Sequence, residues 1–119
     1  MRIMEKDPNG LDAHDLGSKL DSGKPKASLL KMFGLALLEV AKVGTFGAEK
    51  YTRGGWQFVE DGINRYDDAM LRHIFKEQFE EYDSDSDLLH AAHCAWNSLA
   101  RLELILRAKN NLVAKKEDI

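Results

Sequence analysis

Three stretches of helical periodicity, at residues 29–51, 63–81 and 87–108, are separated only by short breaks containing "TRGGW" and "DSDSD". The paired glycines remove the steric bias towards helix and permit positive φ, and the acidic break supplies Asp85 or Ser86 as a cap for the third helix. Helices joined by short breaks pack as antiparallel neighbours. With no β-branched alternation and no internal repeat, the expected fold is all-α, an antiparallel helical bundle. A length of 119 residues suits one domain. Both prolines and three of the nine glycines fall in residues 1–26, which are expected to form an irregular arm. The helical domain then spans 27–108, with Ser28 as its first N-cap, and 109–119 form a tail. Apolar residues lie on nearly every side of the first helix, the pattern of a buried element.

Charge narrows the function. Seventeen basic against twenty acidic residues leave a net charge of −3, so no global positive field favours duplex nucleic acid. Apolar runs such as residues 35–38 fall far short of the roughly 20 residues that span a bilayer. With no charged-then-apolar leader, neither membrane insertion nor secretion is expected. A single cysteine, Cys94, cannot form an internal disulfide, which suits a cytoplasmic setting.

The polar residues inside the apolar helices are more informative. Glu39 is the only acid between residues 22 and 48. At ~100° per residue it projects within ~40° of Met32, Leu35, Val43 and Phe46. A buried lone carboxylate costs several kcal/mol unless paired, protonated or metal-bound, so a partner on another helix is expected. An arginine across an oligomer interface is the alternative. Counting levels outward from the two breaks puts Glu39, His73, Glu77, His90 and His93 within about two turns of one layer. Within the helices, His73 and Glu77 are i,i+4, and His90, His93 and Asn97 share an arc of ~60°. Such a layer can hold a divalent metal: Mg²⁺ or Mn²⁺ takes carboxylates, and Mn²⁺ accepts imidazole. Each histidine alone is equally readable as a hydrogen-bonded core residue. Asp68 can simply pair with Arg72, and the acids at 80–87 can form a solvated, capping turn.

Cations that could meet phosphate are Lys24, Lys50, Arg53, Arg65 and Arg72, and Tyr51 and Trp56 could wall a base. "SGK" lacks the glycine spacing of a Walker loop, and His14-Asp15 has no supporting helix.

In order and spacing, "LDSGKPK", "LLEVAKVGTFGAEKY", a following tryptophan, "NRYDDAMLRH" and "DLLHAAHCAWNSL" resemble the phage dATP/dGTP diphosphohydrolases. These are MazZ-like members of the all-α, MazG-like nucleoside triphosphate pyrophosphohydrolases. The matching positions, across about residues 20–104, are Asp21, Gly23, Lys24, Glu39, Gly47, Lys50, Tyr51, Trp56, Arg65, Tyr66, Asp68, Arg72, His73, Asp83, Ser86, His90, His93 and Asn97. Two departures stand out: the third helix shows H-x-x-H where the superfamily has E-x-x-D, and Gly34 stands where an acid is expected.

The resemblance implies a MazG-like bundle completed by oligomerisation as a dimer or tetramer. It also implies metal-dependent hydrolysis of a purine dNTP, dGTP or dATP, to the monophosphate and pyrophosphate in a host cytoplasm, in support of 2-aminoadenine DNA synthesis in a phage. On that reading Glu39, Glu77 and His73 are catalytic. Glu39, Glu77, Asp68, His90 and His93 surround Mg²⁺ or Mn²⁺, with the histidines as direct or outer-sphere groups. Lys24, Lys50, Arg65 and Arg72 meet phosphate, and Trp56 and Asn97 lie nearer the nucleoside. The competing class is a non-catalytic helical module that binds a host or phage protein.

Overall fold

A computed structural model describes residues 5–118, which form two compact units divided between Met32 and Phe33. The first unit is a set of turns organised by one buried carboxylate. Asp7 accepts hydrogen bonds from the backbone N–H groups of Asn9 at 2.7 Å, Leu11 at 3.4 Å and Lys19 at 2.7 Å. Lys24 pairs with Glu5 at 3.3 Å in the same unit.

A 3-10 turn at Ala27–Phe33 precedes the second unit, which contains α1 (Gly34–Lys50), a 3-10 turn at Gly55–Phe58, α2 (Gly62–Glu77) and α3 (His90–Lys109). Among the described residues there is no β-strand, only one isolated antiparallel bridge between Tyr82 and Leu89. The all-helical expectation therefore holds. α3 packs chiefly along α2 and also against α1. Its inward stripe is unusual: Ala92 and Ala100 are buried there together with His90, His93 and Asn97, and Val43 joins them from α1. The centre of this unit is thus partly polar, and imidazole nitrogens in such a place must be hydrogen-bonded or metal-bound.

The break after α1 behaves as the glycines require, with Gly54 at φ 74°. Gly44 has a different purpose, because a Cβ there would stand 2.6 Å from the Trp96 ring. Its missing side chain lets the indole lie directly on α1.

Five local expectations change. α2 stops at Glu77 rather than near residue 81, and α3 starts at His90 rather than near residue 87. Neither Asp85 nor Ser86 caps α3, whose N-cap is Leu89 with no side-chain hydrogen bond. Asp85 bonds to Lys50, and Ser86 to the loop itself and to His93, so the helix begins only where the loop ends. Ser28 likewise opens no α-helix, since residues 27–33 are 3-10. Finally, α1 is not buried in the single chain: Leu35 and Leu38 are 87% and 64% exposed.

Candidate active site

Three imidazoles meet between α2 and α3. His73 Nδ1 lies 2.8 Å from His90 Nδ1, and the His73 and His93 rings stack at 4.4 Å with an interplanar angle of 9°. The i,i+3 spacing of His90 and His93 puts both on the face of α3 that meets α2, at the level of His73. Phe46 closes the far side of His93 edge-on at 6.3 Å.

Two further ring nitrogens are held by residues 80–86. Glu80 Oε1 takes His90 Nε2 at 2.9 Å, and Ser86 Oγ meets His93 Nε2 at 2.7 Å, with Asp83 Oδ2 3.9 Å from the same nitrogen. The loop is built to do this. The backbone N–H groups of Asp83, Asp87 and His90 donate to the carbonyls of Leu88, Asp83 and Glu81, while the Ser86 N–H donates to Asp83 Oδ2 at 2.9 Å. Asp87 takes φ 60°, a left-handed conformation that Asp tolerates better than most residues.

Burial sets the charge states. It pushes His73 down to about 4, with the neighbouring His93 and His90 adding to the effect. Burial also lowers His93, against the pull of Asp83. For Asp83 burial alone would raise the carboxyl, but the backbone and side chain of Ser86, with His93, outweigh it and hold the group below the usual range. At neutral pH the site is therefore a neutral imidazole pair facing an ionised carboxylate. Among the described residues, His73, Asp83 and His90 are the one group of three whose ligand atoms all lie within 4.8 Å of one another.

This cluster borders an open cleft of about 1680 Å³. Lys50, Arg53, Arg65, Arg72 and Lys76 line it, together with Trp56, Tyr66, Trp96, Asp68 and Asn97, and His73, His93 and Asp83 form one wall. Asp85 holds Lys50 at 2.7 Å, and that hydrogen bond raises the Lys50 pKa. The aromatic wall is buttressed: Trp56 meets Trp96 and Tyr66 edge-on at 6.3 and 6.5 Å, Tyr66 donates its hydroxyl to the Trp56 carbonyl at 2.8 Å, and the Arg107 guanidinium lies 5.5 Å from the Trp56 ring.

Of the residues singled out from the sequence, Lys50, Trp56, Arg65, Asp68, Arg72, His73, His93 and Asn97 therefore share one cleft, and His90 lies behind it at 0% exposure. Lys24 belongs to the first unit. Glu39 does not reach another helix: it pairs with Lys42 on its own turn at 2.6 Å and borders a second, smaller hollow with Phe46, Ser86 and Leu88. Glu77 is exposed near the end of α2 and lines neither hollow. Of the acids read from the sequence as part of a solvated turn, Glu80 bonds His90 directly and Asp83 lies 3.9 Å from His93. The available signal was the position of these acids and Ser86 immediately before H-x-x-H.

The scaffold is all-α, and the imidazole–carboxylate cluster lies on the wall of a cleft lined by five cations and four carboxylates. The family described as dATP/dGTP diphosphohydrolase, N-terminal, matches residues 14–114, and the chain belongs to that family. It is also 39% identical over 80 residues to a dATP/dGTP diphosphohydrolase of Salmonella phage PMBT28, an alignment covering 66% of this chain and 26% of that protein. The chain thus spans about a quarter of that relative's length. No solved structure matches it. Among the described residues no helix is long and apolar enough to cross a membrane.

Proposed function

We propose that the chain hydrolyses purine deoxynucleoside triphosphates, dGTP and dATP, to the monophosphate and pyrophosphate. The observation that carries this reading is the cleft, where five cations and an aromatic wall adjoin the histidine–carboxylate cluster. The family and the name of the phage relative support it. Water attacks the α-phosphorus, the bond from that phosphorus to the α,β-bridging oxygen breaks, and pyrophosphate leaves. Lys50, Arg65 and Arg72 bind the phosphates, Lys50 exchanging Asp85 for the ligand. Trp56 and Asn97 face the nucleoside. Carboxylates are the natural ligands for Mg²⁺ or Mn²⁺, and of Glu39, Asp68 and Glu77 it is Asp68 that lines the cleft. Such an ion, when bound, neutralises phosphate charge and lowers the pKa of an attacking water.

The exposed apolar face of α1 supports a homo-oligomer, dimer or tetramer, of MazG-like type. Glu39 and Glu77 then act at the reaction only if assembly brings them to a cleft. In a phage that uses 2-aminoadenine, the same activity would remove dATP and supply dGMP.

The test is pyrophosphate release from each of the four dNTPs with Mg²⁺ or Mn²⁺, with monophosphate and diphosphate products separated. Turnover of dGTP and dATP to monophosphates is expected. No turnover with any nucleotide would favour the interaction module, and full activity of Glu39→Gln and Glu77→Gln would remove those two carboxylates from the mechanism.

A further inference from the structure

We infer that His73 Nδ1, His90 Nδ1 and a carboxylate oxygen of Asp83 form a separate, nitrogen-rich site for one first-row transition-metal dication of the Mn²⁺ to Zn²⁺ series, to the exclusion of Mg²⁺. Three observations carry this. First, His73, Asp83 and His90, from α2, the loop and α3, each place one ligand atom within 4.8 Å of the others. Second, the two Nδ1 atoms are 2.8 Å apart. With metal–nitrogen bonds of about 2.0–2.1 Å, that separation subtends roughly 85–90°, a cis pair of an octahedral ion. Third, the ring behind the site is already oriented as a ligand. His90 is fully buried, and Glu80 Oε1 accepts its Nε2–H at 2.9 Å, which leaves the Nδ1 lone pair aimed at His73. A carboxylate on the far nitrogen is the usual partner of a metal-bound histidine.

Without an ion, His73 must donate its Nδ1–H to His90. With one, that proton moves to His73 Nε2, a change of tautomer with no change of charge. Two imidazoles and one carboxylate select borderline metals, because Mg²⁺ prefers an all-oxygen shell and dehydrates reluctantly. His73 and Asp83 line the cleft and His90 does not, so the remaining coordination positions open toward the ligand space. His93, held by Ser86, stacks on His73 and fixes the plane of that ring.

The experiment is an anaerobic Co²⁺ titration of the full chain, followed by visible ligand-field absorption and repeated in excess Mg²⁺. One equivalent is expected to bind and to survive the Mg²⁺. Glu80→Gln should weaken Co²⁺ binding about 10–100-fold, and His73→Gln and Asp83→Asn should weaken it at least as much, with far-UV circular dichroism confirming that each variant is folded. His73 is only half-buried, so its variant keeps the test open if a change at Asp83 unfolds the loop. Absence of a one-to-one complex, displacement of Co²⁺ by Mg²⁺, or unchanged binding by His73→Gln would overturn the proposal. Because the ion is read by its own spectrum, that failure is distinguishable from loss of nucleotide hydrolysis.

Discussion

His73 shows how one residue ties stability to pH. The unfolded chain takes up a proton on this ring near 6.5, whereas the folded chain does so only near 4. Between those values the unfolded state binds more protons, so stability falls as pH is lowered through the window and is fully present above it. Thermal unfolding of the metal-free chain should therefore give a midpoint that drops from pH 6.5 to pH 4. His73→Gln should flatten the part of that slope due to this ring, while the part due to Asp83, whose carboxyl is also lowered, appears at more acidic pH. Ser86 supports a second prediction. Its hydroxyl meets His93 Nε2 at 2.7 Å and accepts the Leu88 N–H at 3.2 Å, and Asp83 at 3.9 Å is too far to replace it. Ser86→Ala leaves a buried imidazole nitrogen unmatched and should cost about 1–3 kcal/mol in urea unfolding. A loss below ~0.5 kcal/mol would show that the contact is dispensable. The candidate histidines were legible in the sequence as polar groups on an apolar helix face. Their partners were not, because a run of acids beside a helix start resembles an ordinary solvated cap until the loop is folded.

Among the elements, α1 and α3 meet through a glycine. Gly44→Ala has two opposed effects: a helix propensity gain of ~1 kcal/mol against a Cβ placed 2.6 Å from a rigid indole. Overpacking of this kind costs typically ~1–3 kcal/mol, so net destabilisation with altered tryptophan fluorescence is expected. An unchanged or raised unfolding midpoint would mean that Trp96 moves freely. Helix number and order were readable from periodicity and from the glycine and acidic breaks. The ends of α2 and α3 were not. Helical periodicity continues past Glu77, and the hydrogen bonds that organise residues 78–89 depend on contacts with α3.

At the scale of the whole molecule, the apolar face of α1 is the outstanding feature. Leu35 and Leu38, one turn apart on the same face, are both exposed in one chain, on a helix whose composition reads as buried. Burying each such side chain is worth about 1.5–3 kcal/mol, which favours self-association. Sedimentation equilibrium at micromolar concentration should give a mass above the 13.5 kDa of one chain, and the Leu35→Glu/Leu38→Glu double variant should return it to that value. A wild-type monomer would remove the oligomer from the proposal. Periodicity and the two breaks by themselves determined an all-helical chain and, of the five residues placed in one layer, the shared level of His73, His90 and His93, because those features depend only on residue spacing along a helix. Tertiary structure alone decided that Glu39 bonds to its own helix, that Glu80, Asp83 and Ser86 engage the histidines, and that the cations share one cleft. Those outcomes depend on how a twelve-residue connection, 78–89, folds back on α3, and no helical repeat encodes that path.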